Sequence, residues 1–252
     1  MPGAPGGHPA RSRRTSHAMV KPPPDRLYGR QRSHALRPRQ EKLLAETLPR
    51  LRFAATETPL AAFTDPVSEL WLEVGFGGGE HARALAARHP HVGLIAAEVF
   101  EQGLCSLMTA LVPEGGEATA PLPGNLRLWD DDARTLLRAL PEGCLSRLYL
   151  MFPDPWPKAR HAKRRFVHPE LIGLVASRLR PGGEWRAASD DPTYQAWVAE
   201  VMAAQQLFDV APVASARPEG WPPTRYEAKA ALAGRSALYW VFTKRGSGGA
   251  SF

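Results

Sequence analysis

From Glu69 onward the apolar positions switch back and forth between two spacings. Short apolar runs read as strands: ELWLEV from Glu69, VGLIAAEV from Val92, LRLWDD from Leu126, LSRLYLMF from Leu145, EWRAAS from Glu184 and ALYWVFTKR from Ala237. Stretches of helical period separate most of them, at Glu80–His89, Glu101–Leu111, Ala133–Leu140, His168–Leu179 and Tyr194–Gln206. LSRLYLMF has the nearly unbroken apolar character of a strand buried on both faces. The fourth helix should stop at Pro181-Gly182-Gly183, which reads as a turn. Repeated strand–helix alternation predicts an α/β fold, a doubly wound, mostly parallel sheet with helices on both faces. Ligands of such sheets bind beyond the carboxyl ends of the strands, so the loops following the strands should carry the chemistry.

Upstream of Glu69 the pattern is different. Residues 1–25 are rich in Pro, Gly, Ser and Arg, with too little apolar area to offset ordering entropy, and are expected to be a disordered basic tail. Residues 26–68 form a basic arm followed by a helix with Leu43, Leu44, Leu48 and Leu51 on one side. The α/β domain is expected over 69–245, with a disordered tail at 246–252. No internal repeat is visible.

Composition narrows the partners. A hydrophobic content of 44% is enough for a sizeable core. No apolar run approaches the roughly 20 residues needed to span a bilayer, and the start of the chain lacks the apolar stretch of a secretory signal. The cytoplasm is therefore the expected location. Cys105 and Cys144 match no metal or redox spacing and are read as reduced thiols; no metal site is expected. A formal charge of +7 favours a polyanionic partner. No interface stripe chooses between a monomer and a homodimer.

The turn after the first strand reads Glu73-Val74-Gly75-Phe76-Gly77-Gly78-Gly79-Glu80. Glycines there permit positive φ and close backbone approach to a ligand. Glu98 ends the second strand about 20 residues on, where an acid can bond a ribose hydroxyl pair. The dinucleotide fingerprint would need glycine where Glu80 stands, and a carboxylate at that helix start repels pyrophosphate, which disfavours a nicotinamide-dependent oxidoreductase. The pattern E-x-G-x-G-x-G resembles motif I of Rossmann-like methyltransferases, whose donor is a sulfonium without phosphate. On that resemblance Glu73, Gly75, Gly77, Gly79 and Glu98 would hold S-adenosylmethionine. The third strand runs into Asp130, Asp131 and Asp132, one of which would bond adenine; Asp132-Ala133 fits best, and its alternative role is an N-cap.

After the fourth strand comes Phe152-Pro153-Asp154-Pro155-Trp156-Pro157-Lys158-Ala159-Arg160-His161-Ala162-Lys163-Arg164-Arg165. Its prolines stop the strand and stiffen the corner that carries Asp154 and Trp156. Lys158, Arg160, Lys163, Arg164 and Arg165 follow at once, placed to grip phosphates beside a target base. This segment resembles the signature of the bacterial tRNA (guanine-N7-)-methyltransferase family, and the resemblance runs from about Gly29 to Arg245. Ser189-Asp190 and Thr224-Arg225-Tyr226-Glu227 match further family segments, with Arg for Lys and Tyr for Phe in the second. The basic Leu36-Arg37-Pro38-Arg39-Gln40 segment resembles the family's N-terminal region.

The resemblance implies methyl transfer from S-adenosylmethionine to N7 of a guanine in the tRNA variable loop. Asp154 would be the catalytic carboxylate and would also touch the donor, and Asp132 would hold adenine. Lys158, Asp190, Thr224, Arg225, Tyr226 and Glu227 would hold guanine or nearby RNA. Arg30, Arg32, Arg37 and Arg39 would add phosphate contacts from the arm. Alternatives for Asp190 and Glu227 are a helix cap before Pro192 and a surface pair with an arginine. Rival functions are methyl transfer to a protein or small molecule, and RNA binding without catalysis.

Overall fold

The computed structural model describes residues 35–246. The expected tail at 1–25, the arm residues Arg30 and Arg32, and 247–252 lie outside the described residues. Within them, β1 (Glu69–Val74), β2 (Val92–Ala97), β3 (Leu126–Trp129), β4 (Leu145–Met151), β5 (Leu179–Ser189), β6 (Phe208–Val210) and β7 (Leu238–Lys244) make one sheet. Its order is β3-β2-β1-β4-β5-β7-β6. β1 to β5 pair in parallel, while β7 runs antiparallel to β5 and β6 antiparallel to β7. From β1 the chain winds outward through β2 and β3, then returns to build β4 and β5 on the other side. The order therefore reverses between β1 and β4, the crevice where this architecture binds ligands.

Side-chain parity along the strands divides the core in two. Leu70, Leu72 and Val74 of β1 face α5 (Ala133–Ala139), α6 (Pro169–Arg178) and α7 (Pro192–Ala203). Trp71 faces the other way, toward α3 (Glu80–Arg88) and α4 (Glu101–Leu111). β2 and β4 alternate in the same manner, so helices cover both faces, as the hydrophobic pattern predicts.

The N-terminal helix packs on the second face. It consists of α1 (Pro38–Lys42), a π-helical turn (Leu43–Thr47) and α2 (Leu48–Leu51). The wide turn has a cause: Pro49 offers no N–H to the carbonyl of Ala45, and its ring crowds that carbonyl. The turn carries Leu43 and Leu48, five residues apart, onto one buried face together with Leu51, while Leu44 stays partly exposed.

Besides the short edge strand β6, which the sequence pattern does not mark, two elements differ from it. β5 begins at Leu179, before Pro181-Gly182-Gly183. Leu145 pairs with Leu179 and Arg147 with Glu184, so β5 carries three extra residues in an exposed bulge, with Gly182 at φ +72°. The second is an additional helix, α8 (Arg225–Leu232), which buries only Ala230. No helix among the described residues is long and apolar enough to cross a membrane. No group of three or more His, Cys, Asp or Glu among them gathers as a metal site.

Candidate active site

The loop from β1 to α3 turns through three left-handed glycines, Gly75 (φ +70°), Gly77 (φ +60°) and Gly79 (φ +83°). Their surroundings differ. A Cβ on Gly79 would stand 2.6 Å from Leu107, and one on Gly77 3.0 Å from the Tyr226 ring. A Cβ on Gly75 would meet nothing within 4 Å. Gly75 is the cradle position: its bare backbone faces a cavity of about 580 Å³ whose wall includes Gly77, Glu98, Asp154, Trp156 and Tyr226.

Glu98 closes this cavity from the end of β2. Its carboxylate accepts hydrogen bonds from the N–H groups of Gly77 (2.8 Å), Val99 (2.8 Å) and Phe100 (3.0 Å). Burial pushes its pKa up despite these bonds, and the nearby charge of Asp154 adds to the rise. A connected recess of about 130 Å³ continues between Glu98, Val99, Asp131, Asp132 and Phe166.

The three aspartates after β3 have separate partners. Asp130 makes a two-pronged pair with Arg52, at 2.9 and 2.7 Å. Asp132 caps α5 through the N–H of Arg134 (2.9 Å) and accepts from its guanidinium, the shortest contact being 2.5 Å. The capping role is therefore filled by Asp132, which nonetheless lines the recess. Asp131 is exposed on the same wall and accepts the N–H of Asp132 at 2.7 Å.

Glu73 sits elsewhere. Strand parity places it on the Trp71 side of β1, beneath α3, where its carboxylate is buried 3.1 Å from His81 Nδ1. Direct donor contact by Glu73 is not what this geometry provides. The side chain lies between β1 and α3, and neither its Oε2 nor His81 Nδ1 makes a hydrogen bond.

The proline corner is strained. Phe152 (φ +52°) and Trp156 (φ +44°) are the two non-glycine residues with positive φ among those described, a conformation costing about 1–2 kcal/mol each. Buried Arg165 holds the corner in place. It donates from Nε to the carbonyl of Pro155 (3.2 Å) and from Nη2 to that of Trp156 (3.0 Å), and its guanidinium lies over Trp197. Arg165 is thus a clamp and not an RNA contact. Arg164 stacks over Trp156 with its guanidinium 4.7 Å from the ring centre and lines the cavity. Lys158, Arg160 and Lys163 are exposed around a 3₁₀ turn (Ala159–Arg164).

The remaining expected site residues are only partly brought together. Tyr226 alone of the 224–227 segment lines the cavity. Thr224 caps α8 by accepting the N–H of Glu227 at 3.0 Å. Glu227 pairs with Arg217 (3.1 Å) and faces Tyr239, whose hydroxyl is raised above its usual range by burial and then by that carboxylate. Asp190 accepts from Arg235 at 2.6 Å, whereas the cap of α7 is Asp191. Lys158 and Asp190 are not on the cavity wall. In the arm, Arg37 is exposed, but Arg39 bonds the carbonyl of Val112 (2.7 Å) and pairs with Glu117 (3.2 Å), so it anchors α1 instead of awaiting phosphate. Phe166, Val99 and Phe152 also line the site; no sequence feature singles them out, because their role depends on where the loops converge.

Residues 68–239 match the family described as "Putative methyltransferase". The chain is 65% identical over 227 residues to the tRNA (guanine-N(7)-)-methyltransferase of Granulibacter bethesdensis, covering 90% of this chain and 98% of that one. It is 43% identical over 228 residues to the protein of the same name from Paramagnetospirillum magneticum, covering 87% and 93%. Among solved structures, the 16S rRNA methyltransferase KamB superposes with a TM-score of 0.53 at 17% identity, covering 77% of this chain and 95% of that one. That likeness shows a shared Rossmann-like methyltransferase fold.

Proposed function

Because the chain belongs to the tRNA (guanine-N(7)-)-methyltransferase family, we propose that it transfers a methyl group from S-adenosylmethionine to N7 of a guanine in the variable loop of tRNA, forming 7-methylguanosine. The observation that carries the reading is the single cavity joining the open face of Gly75 and the Glu98 carboxylate to Asp154 and Trp156.

The residues present fit the donor. Gly75 leaves the space that a Cβ would fill, and Glu98, Asp131, Asp132 and Asp154 line the walls together with Arg134, Arg164 and Arg165. Glu98 would take the ribose hydroxyls, and Asp131 or Asp132 with Ala133 would take adenine. When bound, S-adenosylmethionine supplies an electrophilic methyl on a cationic sulfonium. Guanine N7 already carries an exposed lone pair, so the protein needs no base to remove a proton. Its task is alignment and charge stabilisation. The Asp154 carboxylate would stabilise the positive charge that develops on the purine. The Trp156 ring, held at its unusual φ by Arg165, would stack on the base, and Tyr226 would bound it from the α8 side. Lys158, Arg160 and Lys163 would hold phosphates, joined by Arg37 and by Arg30 and Arg32 upstream. Drawing the guanine out of the tRNA elbow costs unstacking energy that these contacts offset. The enzyme would act in the cytoplasm, where its tRNA substrate is.

A transfer assay with methyl-tritiated S-adenosylmethionine and unmodified tRNA transcript tests this. The expected result is incorporation that disappears when the variable-loop guanine is replaced. Equal labelling of the replaced transcript, or none of either, would sink the reading.

A further inference from the structure

Glu80, the carboxylate that stands where a dinucleotide-binding loop has glycine, has a second use in this fold. Its Oε1 accepts the backbone N–H of Arg225 at 3.0 Å, a contact across 145 residues, with Arg225 Nε 3.7 Å from the same oxygen. Arg225 is the first residue of α8, where backbone N–H groups have no partner within the helix. Thr224 satisfies the N–H of Glu227, and Glu80 satisfies that of Arg225. A helix that buries only Ala230 depends on such terminal bonds for its placement.

The donor loop supplies the surface on which α8 rests. A Cβ on Gly78 would stand 2.9 Å from Nη1 of Arg225, and one on Gly77 3.0 Å from Cε2 and 3.2 Å from Oη of Tyr226. Arg225 Nη2 in turn bonds Tyr226 Oη at 3.1 Å. Gly77 and Gly78 thus give the loop a bare face that admits the first turn of α8 and sets Tyr226 at the cavity wall.

We propose that Glu80 is a positioning residue that seats the start of α8 on the donor loop, so that Tyr226 is held at the guanine end of the cavity. This rests on the reading of the cavity as a guanine methylation site. Glu80 is not on the cavity wall. It acts through Arg225, and the amide oxygen of a glutamine accepts an N–H as a carboxylate does.

The test compares Glu80→Ala with Glu80→Gln in the full chain. Three quantities are measured: the KM and kcat for tRNA, the Kd for S-adenosylhomocysteine by calorimetry, and amide hydrogen exchange over 224–232. Losing a terminal helix bond is worth about tenfold in an equilibrium. The expected result for Glu80→Ala is a KM for tRNA raised by about that factor, faster exchange over 224–232 and a donor-product Kd within about twofold, while Glu80→Gln restores KM and exchange. Unchanged KM and exchange in Glu80→Ala, or the same losses in Glu80→Gln, would overturn the proposal, as would a Kd weakened as much as KM. If the unaltered protein methylates no tRNA, the functional reading fails, and exchange still decides whether Glu80 seats α8.

Discussion

The guanidinium of Arg165 bonds the backbone carbonyl of Trp156 at 3.0 Å, nine positions back along the chain. One arginine of a five-member basic run thus turns inward and holds the ring at the mouth of the site, Arg164 stacks over that ring, and Lys158, Arg160 and Lys163 remain at the surface.

Replacing Arg165 with lysine should therefore act on the fold of the corner and not on phosphate binding. A lysine cannot fork to two carbonyls. The expected loss is about 2–3 kcal/mol of stability and at least about tenfold in kcat. The slope of log affinity for tRNA against log salt should not change. Arg160→Gln and Lys163→Gln should instead lower that slope by about 0.7–0.9 each, leaving melting temperature unaltered. A flatter salt slope in Arg165→Lys at normal stability would contradict the clamp.

If Glu98 binds the donor, donor binding should depend on pH. Its pKa is raised, first by burial and then by Asp154, so the folded protein binds a proton there at pH values where the unfolded chain has lost it. Its contribution to stability accordingly falls as pH rises from the ordinary carboxylate range through the raised value. Ribose hydroxyls prefer the ionised acceptor, so the sign for binding is opposite: affinity for S-adenosylhomocysteine should weaken as pH drops through the raised pKa. Calorimetry between about pH 5 and 8 reads this. Glu98→Gln should bind weakly and with a flat profile over that window. A profile as steep as that of the unaltered protein would assign the titration to another group.

Two glycine substitutions should separate binding from folding. Gly75→Ala costs about 1–2 kcal/mol for its positive φ and meets no protein atom, so its larger effect should be on donor affinity. Gly79→Ala carries the same backbone cost and also drives a Cβ into Leu107, adding about 1–3 kcal/mol to the loss of stability. Thermal melts and donor-product titrations on both variants check the contrast. Normal donor affinity in Gly75→Ala would remove the cradle role.

Asp154→Asn keeps the shape of the corner and removes the charge. Turnover is expected to fall by about 10²-fold, with melting temperature and donor-product affinity nearly intact. Turnover within about twofold of the unaltered enzyme would take Asp154 off the catalytic list.

Deleting residues 1–34 removes Arg30 and Arg32 but spares the Arg39–Glu117 pair that anchors α1. Affinity for tRNA should fall more at low salt than at high salt, and melting temperature should hold. An unchanged KM at low salt would exclude the arm from RNA binding.

The strand–helix alternation, the glycine turn and the proline corner are legible in the chain because each is a local signal. Period, positive φ and the missing N–H of proline all act within a few residues. Helix α8 is not legible in this way. It is held by Thr224 and by a carboxylate 145 residues away, and it buries only Ala230.

By itself, the sequence determined the α/β winding, the open turn at Gly75 and the concentration of acids and bases after the strands, since these follow from residue type and short-range spacing. Only the tertiary structure decided which charges remain available to a ligand. Strand parity turns Glu73 beneath α3 and off the cavity wall, while Glu117 takes Arg39 and the Trp156 loop takes Arg165. A charged side chain is available or committed according to which partner the fold brings within about 3 Å, and those partners come from distant parts of the chain.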